Sequence, residues 1–255
     1  MLQTDIKNCY INNKEVSALW FEGNQIWTMK LEATGLGTGG FAQFSDWASL
    51  SAVTQAGNAR DYFSVGDMFG VTMSDGTNAN FIVVGINHEG NNGLIMMGMQ
   101  PNGSSKWATS DTTSKKRYDG GLLPSFCSSV GAKLPTDLQA IVKPTTVLYN
   151  YTVANGSYYG SGNTTSKIYS YWIPSVCEMF DANTISVRST VGTQWELFKN
   201  ADKAKAFTIG SFFWTRDTLP TAPSADYIVA NGGNGWQMSS AGITSEYNVV
   251  IVFRI

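Results

Sequence analysis

The sequence predicts an α+β domain in which antiparallel strands combine with two or three short helices, behind a small N-terminal β meander. Three observations support this class. Apolar runs of strand length occur at residues 81–86 and 249–253. Asp75-Gly76 separates two alternating apolar runs, which is a strong hairpin signal. Residues 134–142 carry apolar side chains at helical spacing and are followed by Lys143-Pro144, which ends a helix.

The N-terminal meander is predicted at residues 6–29, where three strands rich in Val, Ile, Trp, Tyr and Phe are separated by turns of Asn and Gly. A sheet this small is marginally stable alone, so we expect it to dock on the main domain or on another subunit. The candidate docking side chains are Tyr10, Trp20, Phe21 and Trp27. The stretches Asn13-Lys-Glu-Val-Ser-Ala-Leu-Trp20 and Gln25-Ile-Trp27 resemble a short module near the start of many phage tail and baseplate proteins.

Three segments are expected in the chain: a β docking module at 1–31, a Gly-rich linker at 32–43 and a main domain at 44–255. A phosphate-loop interpretation of Ala33-Thr-Gly-Leu-Gly-Thr-Gly-Gly40 is disfavoured, because the Lys-Ser/Thr pair and a following βαβ pattern are missing. A flexible linker accounts for the glycines better.

Within the main domain, the pattern predicts elements in the following order. We expect a helix at 46–56 capped by Ser45 and ended by Gly57, strands at 62–67, 69–73, 81–86 and 93–99, helices at 122–130 and 134–142, a strand at 146–153, an exposed polar loop at 155–165, a strand at 167–173, and a short helix opened by a capping box at Ser175-Val-Cys-Glu178.

The last segment, residues 210–255, organises the functional hypothesis. Residues 212–214 and 249–255 are predicted core strands, and residues 217–245, rich in Gly, Ser and Asn, are predicted to form a presented surface. Aromatic rings beside amide and hydroxyl groups suit a neutral sugar. The candidate ligand-binding residues are Trp214, Arg216, Asp217, Tyr227, Asn231, Asn234 and Trp236. A core position is the alternative for Trp214, and the same alternative stays open for Tyr227 and Trp236.

Composition and charge exclude several classes of function. Only 14% of residues are charged and the net charge is -2, so no broad positive field attracts nucleic acid. No apolar run approaches the ~20 residues that a membrane helix needs, and residues 1–5 do not resemble a signal peptide. The three cysteines, Cys9, Cys127 and Cys177, lack the spacing of a zinc site and are expected to be reduced and buried.

Catalysis is not expected, and no catalytic residue, metal or cofactor is assigned. The single histidine, His88, has no second imidazole with which to build a usual metal site, so a structural or solvent-facing role is favoured. The acids Glu178 and Asp181 would have to face one cleft to serve a glycosidase, and a capping role already explains Glu178.

Several segments together resemble a domain family of unassigned function that is common in phage tail and bacterial surface proteins. They are Tyr62-Phe-Ser-Val-Gly-Asp67, Phe81-Ile-Val-Val-Gly-Ile-Asn-His-Glu89, Leu134-Pro-Thr-Asp-Leu-Gln139, Lys167-Ile168 leading to Glu178, and Gly210-Ser-Phe-Phe-Trp-Thr-Arg216. The resemblance covers residues 44–255 and implies a C-type-lectin-like fold. The Ser-Pro and Arg-Pro pairs typical of that family's ending are missing, and the calcium motifs of true C-type lectins are not reproduced.

The resemblance implies a non-enzymatic virion protein of the tail or adsorption apparatus. We expect it to be made in the host cytoplasm, to form a homo-oligomer with other virion proteins as neighbours, and to bind a host surface glycan or protein through its loops. Neither nucleic acid binding nor membrane insertion is expected. The alternative is a structural or decoration protein whose loops contact neighbouring subunits, and a glycan hydrolase is a third hypothesis.

Overall fold

The computed structural model describes residues 10–11, 14–15, 18–21, 24–28, 35–110, 117–150, 164–180, 191–200, 204, 209–218, 225–232 and 235–255. In the strands between residues 10 and 28, and at residues 225–228, 230–232, 235 and 236, the description covers the backbone alone.

Two separate β hairpins occupy the N-terminal region. Strand β1 (Tyr10–Ile11) pairs with β2 (Lys14–Glu15), and β3 (Ala18–Phe21) pairs with β4 (Asn24–Thr28). The predicted three-stranded meander is therefore wrong in its pairing, because the strand expected at 15–21 is divided between the two hairpins. The candidate docking side chains of Tyr10, Trp20, Phe21 and Trp27 lie outside the described residues.

Twelve further strands follow in chain order. They are β5 (Met68–Thr72), β6 (Asn78–Ile86), β7 (Leu94–Gly98), β8 (Ser104–Lys106), β9 (Thr145–Asn150), β10 (Thr164–Tyr169), β11 (Tyr171–Trp172), β12 (Phe213–Thr218), β13 (Ala225–Gly232), β14 (Gly235–Gly242), β15 (Glu246–Asn248) and β16 (Val252–Arg254).

The core sheet is antiparallel and has the strand order β11-β16-β7-β6-β5. Residues 81–86 of β6 and all of β7 are buried, as apolar runs on both faces of a strand predict. Residues 249–255 are buried as well, and β16 lies between β11 and β7. The predictions of an interior strand at 81–86 and a core strand at the end of the chain are confirmed.

The second five-stranded sheet has the order β14-β13-β12-β15-β8, with a single parallel contact between β12 and β15. Strands β13 and β14 form a long hairpin in register from Ala225 and Gly242 to Gly232 and Gly235. The predicted loop-built surface at 217–245 is therefore wrong in its secondary structure. Pairing with β12 overrides the weak strand propensity of Gly, Ser and Asn.

A third, two-stranded sheet is formed by β9 and β10. Val147 and Tyr149 are buried in the core, whereas Leu148 and Ile168 are exposed on the other face. The predicted loop at 155–165 lies mainly outside the described residues, and its last two positions belong to β10.

Six helices are described: α1 (Trp47–Gln55), α2 (Ala59–Tyr62), α3 (Leu123–Gly131), α4 (Thr136–Ile141), α5 (Val176–Met179) and α6 (Glu196–Lys199). The expected number of two or three short helices is too low, because α2 and α6 were not predicted. The combination of short helices with mainly antiparallel sheets confirms the α+β class. A C-type-lectin-like topology stays a prediction.

Two helix predictions need correction. Asp46, and not Ser45, caps α1, because its carboxylate accepts the Ser49 N–H at 2.8 Å. The strand expected at 62–67 is instead the end of α2 and a turn, which Asp67 holds by accepting the Ser64 N–H at 2.9 Å. The capping box predicted at Ser175 and Glu178 is confirmed in both directions.

The Gly-rich segment packs against the core over its described part. Gly37 forms an isolated bridge with Phe69, the Gly40 N–H donates to Asp67 Oδ2 at 2.8 Å, and Phe41 is fully buried. A flexible linker therefore does not extend over residues 35–43. Glycine is required at Gly40 because a Cβ there would lie 2.4 Å from the Tyr62 carbonyl oxygen.

Gly131, in the last turn of α3, offers a test of the packing between that helix and β11. A Cβ at this position would lie 2.3 Å from the Tyr171 ring. Alanine normally stabilises a helix relative to glycine, but here we expect Gly131→Ala to lower the free energy of unfolding by ~1–3 kcal/mol through overpacking. The measurement is urea denaturation. Gly210→Ala is the control, since a Cβ there meets no atom within 4 Å; equal stability of both variants and the wild type would contradict the packing.

Candidate functional site

A buried ion pair between Glu178 of α5 and Arg216 of β12 lies at the centre of the described structure. Arg216 Nη1 and Nη2 donate to the two carboxylate oxygens of Glu178, each at 2.6 Å. The side chains of Arg216 and Glu178 are 2% and 10% exposed. Two parallel charge-assisted hydrogen bonds make this the strongest common geometry for such a pair.

The remaining donors of Arg216 join the pair to the backbone. Nε donates to the Leu148 carbonyl at 2.6 Å, and Nη1 donates to the Ile173 carbonyl at 2.9 Å. Burial lowers the pKa of Arg216, but the attraction and hydrogen bonds of Glu178 raise it above the ordinary value. The guanidinium therefore stays charged and links β9, the segment before α5, and α5 itself.

Asp217, the next residue of β12, also contacts α5. Its Oδ2 accepts the Val176 N–H at 2.6 Å, and the carboxyl group is completely buried. Burial raises the pKa of Asp217 to about 7, although the Arg216 charge and the Val176 N–H both favour ionisation. Asp217 is thus a titratable group that holds α5 against β12.

Three candidate ligand-binding residues, Trp214, Arg216 and Asp217, are buried and do not belong to an exposed binding surface. All six positions of β12 are buried, so side chains that alternate along the strand meet protein on both faces. Trp214 occupies the core, as its alternative interpretation held, and its Nε1 donates to the Ser105 carbonyl at 2.9 Å.

Three of the other four candidates, Tyr227, Asn231 and Trp236, lie in the long hairpin. Asn231 of β13 is directly opposite Trp236 of β14, and Tyr227 is opposite Ser240. The side chains of Tyr227, Asn231 and Trp236 lie outside the described residues, and so does all of Asn234. Their role in ligand binding stays a prediction.

A small cleft, here called the arginine cleft, opens beside the ion pair and encloses a volume of about 40 Å³. Exposed residues at its rim include Glu89, Asn91 and Thr146. Its floor is buried and is formed by Trp172, Glu178, Trp195, Arg216 and Arg254. The cleft therefore joins two arginines and two tryptophans at the edge of the core sheet.

Arg254 of β16 differs from Arg216 in its partners. The residue is 6% exposed, and its Nε has no hydrogen-bond partner among the described residues. No ion pair with Arg254 occurs in the described part of the chain. Burial lowers the pKa of Arg254, and the charges of Glu89 and Glu178 offset this in part. A buried cation without a close anion is an uncommon and costly arrangement.

The rim turn that carries His88 and Glu89 has unusual backbone angles. Asn87 and Glu89 have φ angles of 49° and 54°, in the left-handed region that residues other than glycine rarely adopt. Asn87 is held there by donating Nδ2 to the Gly57 carbonyl and accepting the Gly93 N–H, both at 2.9 Å. Glu89 Oε1 accepts the Thr193 hydroxyl at 2.7 Å and lies 3.7 Å from His88 Nε2. These hydrogen bonds hold the turn at the rim of the cleft.

Nucleophilic or metal chemistry has little support in the described residues. Cys127 and Cys177 are buried, as predicted, and burial raises the pKa of each to about 12. Cys9 lies outside the described part. No group of three metal-ligating side chains occurs among the described residues.

No helix in the described part of the chain is long and apolar enough to cross a membrane.

The candidate list from the sequence contained Arg216 but missed Arg254 and Glu89, which line the cleft, and Lys143, which lies near Arg254. A signal for Arg254 existed, since it is the single charged residue in the apolar stretch at 249–255. The proximity of Glu89 and Lys143 to Arg254 depends on tertiary structure and has no sequence signal.

Comparisons with known proteins do not place this chain in a family. No family model matches the sequence, and neither curated proteins nor solved structures give a match. The resemblance to phage tail and lectin-like domains therefore stays a prediction.

The central ion pair can be tested by neutralising its acid. Glu178→Gln leaves Arg216 charged and buried without a counter-charge, so we expect the free energy of unfolding to fall by ~3–5 kcal/mol. Urea denaturation measures the change. The matched control is Glu196→Gln, which breaks the exposed Arg60–Glu196 pair at 3.0 Å and should cost at most ~1 kcal/mol. Equal losses for the two variants would contradict a central role of the buried pair.

Asp217 predicts a specific pH dependence of stability. Its pKa is about 7 in the folded protein and near the ordinary value of 3.8 in the unfolded chain, so the folded state binds more protons between these values. The Asp217 contribution is therefore fully present below about pH 4 and is lost as the pH rises towards 7. We expect the stability of the wild type relative to Asp217→Asn to fall over this window. Parallel pH profiles of both proteins would rule out the buried titration.

Proposed function

We propose that this protein is a non-enzymatic binding component of a phage particle, in the tail or adsorption apparatus, that recognises a host surface glycan or protein. The proposal starts from the resemblance of the N-terminal stretch and of the ordered motifs at 62–216 to phage tail and surface domains. It places the protein in the virion as a homo-oligomer, where repeated copies strengthen weak contacts.

The structural observation that carries a binding role is the arginine cleft. Arg216 is hydrogen-bonded to Glu178 through two nitrogens. Arg254 is a buried cation that has no close acid among the described residues. A pocket with a few convergent polar groups on a rigid floor suits ligand recognition. The acids at the cleft do not support a glycosidase pair, since Glu178 is ion-paired to Arg216 and Glu89 accepts the Thr193 hydroxyl.

A second function, stabilisation of the particle by contacts between subunits, is favoured by the hairpin of β9 and β10. Leu148 and Ile168 lie on its outer face and are 39% and 65% exposed. Apolar side chains that are adjacent and exposed often mark protein contacts. In this case the hairpin, and not the cleft, would carry the function.

An adsorption assay tests the recognition function. Purified full-length protein should bind cells that the corresponding phage infects and should slow adsorption of that phage, because both compete for one surface ligand. Binding is measured with labelled protein by flow cytometry, and adsorption by free phage counts. Folded protein that neither binds cells nor slows adsorption would exclude this function.

The particle yield of the same phage tests the structural alternative. Ile168→Asp places a charge on the exposed face of β10, so under that alternative it should reduce the yield of intact particles severalfold, whereas Ser129→Asp, on the exposed face of α3, should not. Normal particle yield of Ile168→Asp with immunogold label on the tail would support recognition instead.

A further inference from the structure

We infer that the arginine cleft is a carboxylate-binding site in which the guanidinium of Arg254 receives the carboxylate group of a ligand. The site stands on the cleft itself and does not depend on a location in a virion. The ligand class is a molecule with an accessible carboxylate, such as an acidic sugar or a short organic acid.

The two arginines of the cleft differ in their hydrogen-bond partners. A guanidinium has five N–H donors. Arg216 uses donors on all three of its nitrogens, towards Leu148, Ile173 and Glu178. Arg254 is buried to a similar degree, yet its Nε lacks a partner among the described residues. Only Arg254 is therefore free to bind an added acceptor.

The charged groups around Arg254 also favour an anion. Glu178 is neutralised by its bidentate contact with Arg216. Glu89 lies at the rim and its side chain is 45% exposed, so solvent screens its attraction for Arg254. Lys143 is a second cation near Arg254: burial lowers the pKa of Lys143, and the Arg254 charge lowers it further. The described surroundings of Arg254 thus favour an anion.

The size of the cleft limits which part of a ligand can enter it. Its volume of about 40 Å³ exceeds the ~10–15 Å³ that one water molecule needs, so a small polar group such as a carboxylate can enter it. The buried rings of Trp172 and Trp195 form an apolar part of the floor, and the low local dielectric strengthens an ion pair formed there. The rest of the ligand would extend past the exposed rim at Asn91 and Thr146.

The guanidinium of Arg254 could receive either a carboxylate or a phosphate, and the two anions differ in shape and charge. A guanidinium presents planar two-donor edges, which match the two oxygens of a carboxylate. A phosphate carries more negative charge than one unpaired guanidinium balances, and the repulsion from Glu89 at the rim, although screened, grows with the charge of the ligand. The local charge therefore favours a singly charged carboxylate.

The test uses the purified full-length protein and four sodium salts at constant ionic strength. Acetate and glucuronate should raise the melting temperature saturably relative to chloride, whereas phosphate should not, and neutral glucose is the control for the sugar ring. Nuclear magnetic resonance of the arginine Nε–H groups should show a saturable shift for Arg254 and none for Arg216. Phosphate binding without acetate binding, or binding of neither anion, would overturn the proposal, as would an unshifted Arg254 signal.

Variants locate the site. Arg254→Met should lose the saturable response to acetate, and Arg254→Lys should weaken it about tenfold because the ammonium lacks the two-donor edge. Arg60→Met, at an exposed arginine on α2, should respond like the wild type. If Arg254→Met does not fold, the Lys variant and the wild-type resonance shift still decide the question. An unchanged response in Arg254→Lys would contradict a role for Arg254.

Discussion

The arrangement of the second sheet and of α5 depends on one buried charge pair, Glu178 with Arg216. Arg216 reaches carbonyl groups of β9 and of the segment before α5, and Glu178 closes the capping box of α5 as well as the ion pair. Strands β9 and β12 and the α5 region, which are distant in sequence, thus meet at the Arg216 guanidinium. Such a pair contributes more to a unique arrangement than to net stability, since well-packed apolar residues can be equally stable.

The arginine cleft is a by-product of that pair. Because all three nitrogens of Arg216 donate hydrogen bonds, this part of the floor is held by protein contacts. The adjacent Arg254 is held in place by the core sheet, since β16 is paired on both sides. A cation that the fold positions but does not neutralise is preorganised for a ligand, and little side-chain ordering is required when the ligand arrives.

Local signals in the sequence predicted local structure well. The capping box at Ser175, the hairpin at Asp75-Gly76 and the buried strand at 81–86 each depend on residues within a few positions of one another. The strand pairings of the last segment depend on distant partners and could not be predicted in this way. Arg216 was a candidate ligand-binding residue next to the presented surface predicted at 217–245, whereas its partner Glu178 is remote in the chain.

Burial on both faces explains the remaining error at the site. A strand with one exposed face shows alternation, but β12 has six buried positions and contains Thr, Arg and Asp among them. Polar residues inside such a strand resemble a loop until their partners are known. Arg254 was missed for another reason: its strand was predicted correctly, but the charged groups near it come from distant segments of the chain.

The place of β16 in the core sheet has a consequence for the order of folding. Met97 pairs with Val252, and Tyr171 pairs with Phe253, so both neighbours are synthesised long before the strand that joins them. Until then β7 and β11 each present an unpaired edge, and contacts of such long sequence separation form slowly. The nascent chain therefore passes through a stage in which its most apolar strands are open to pairing with other chains.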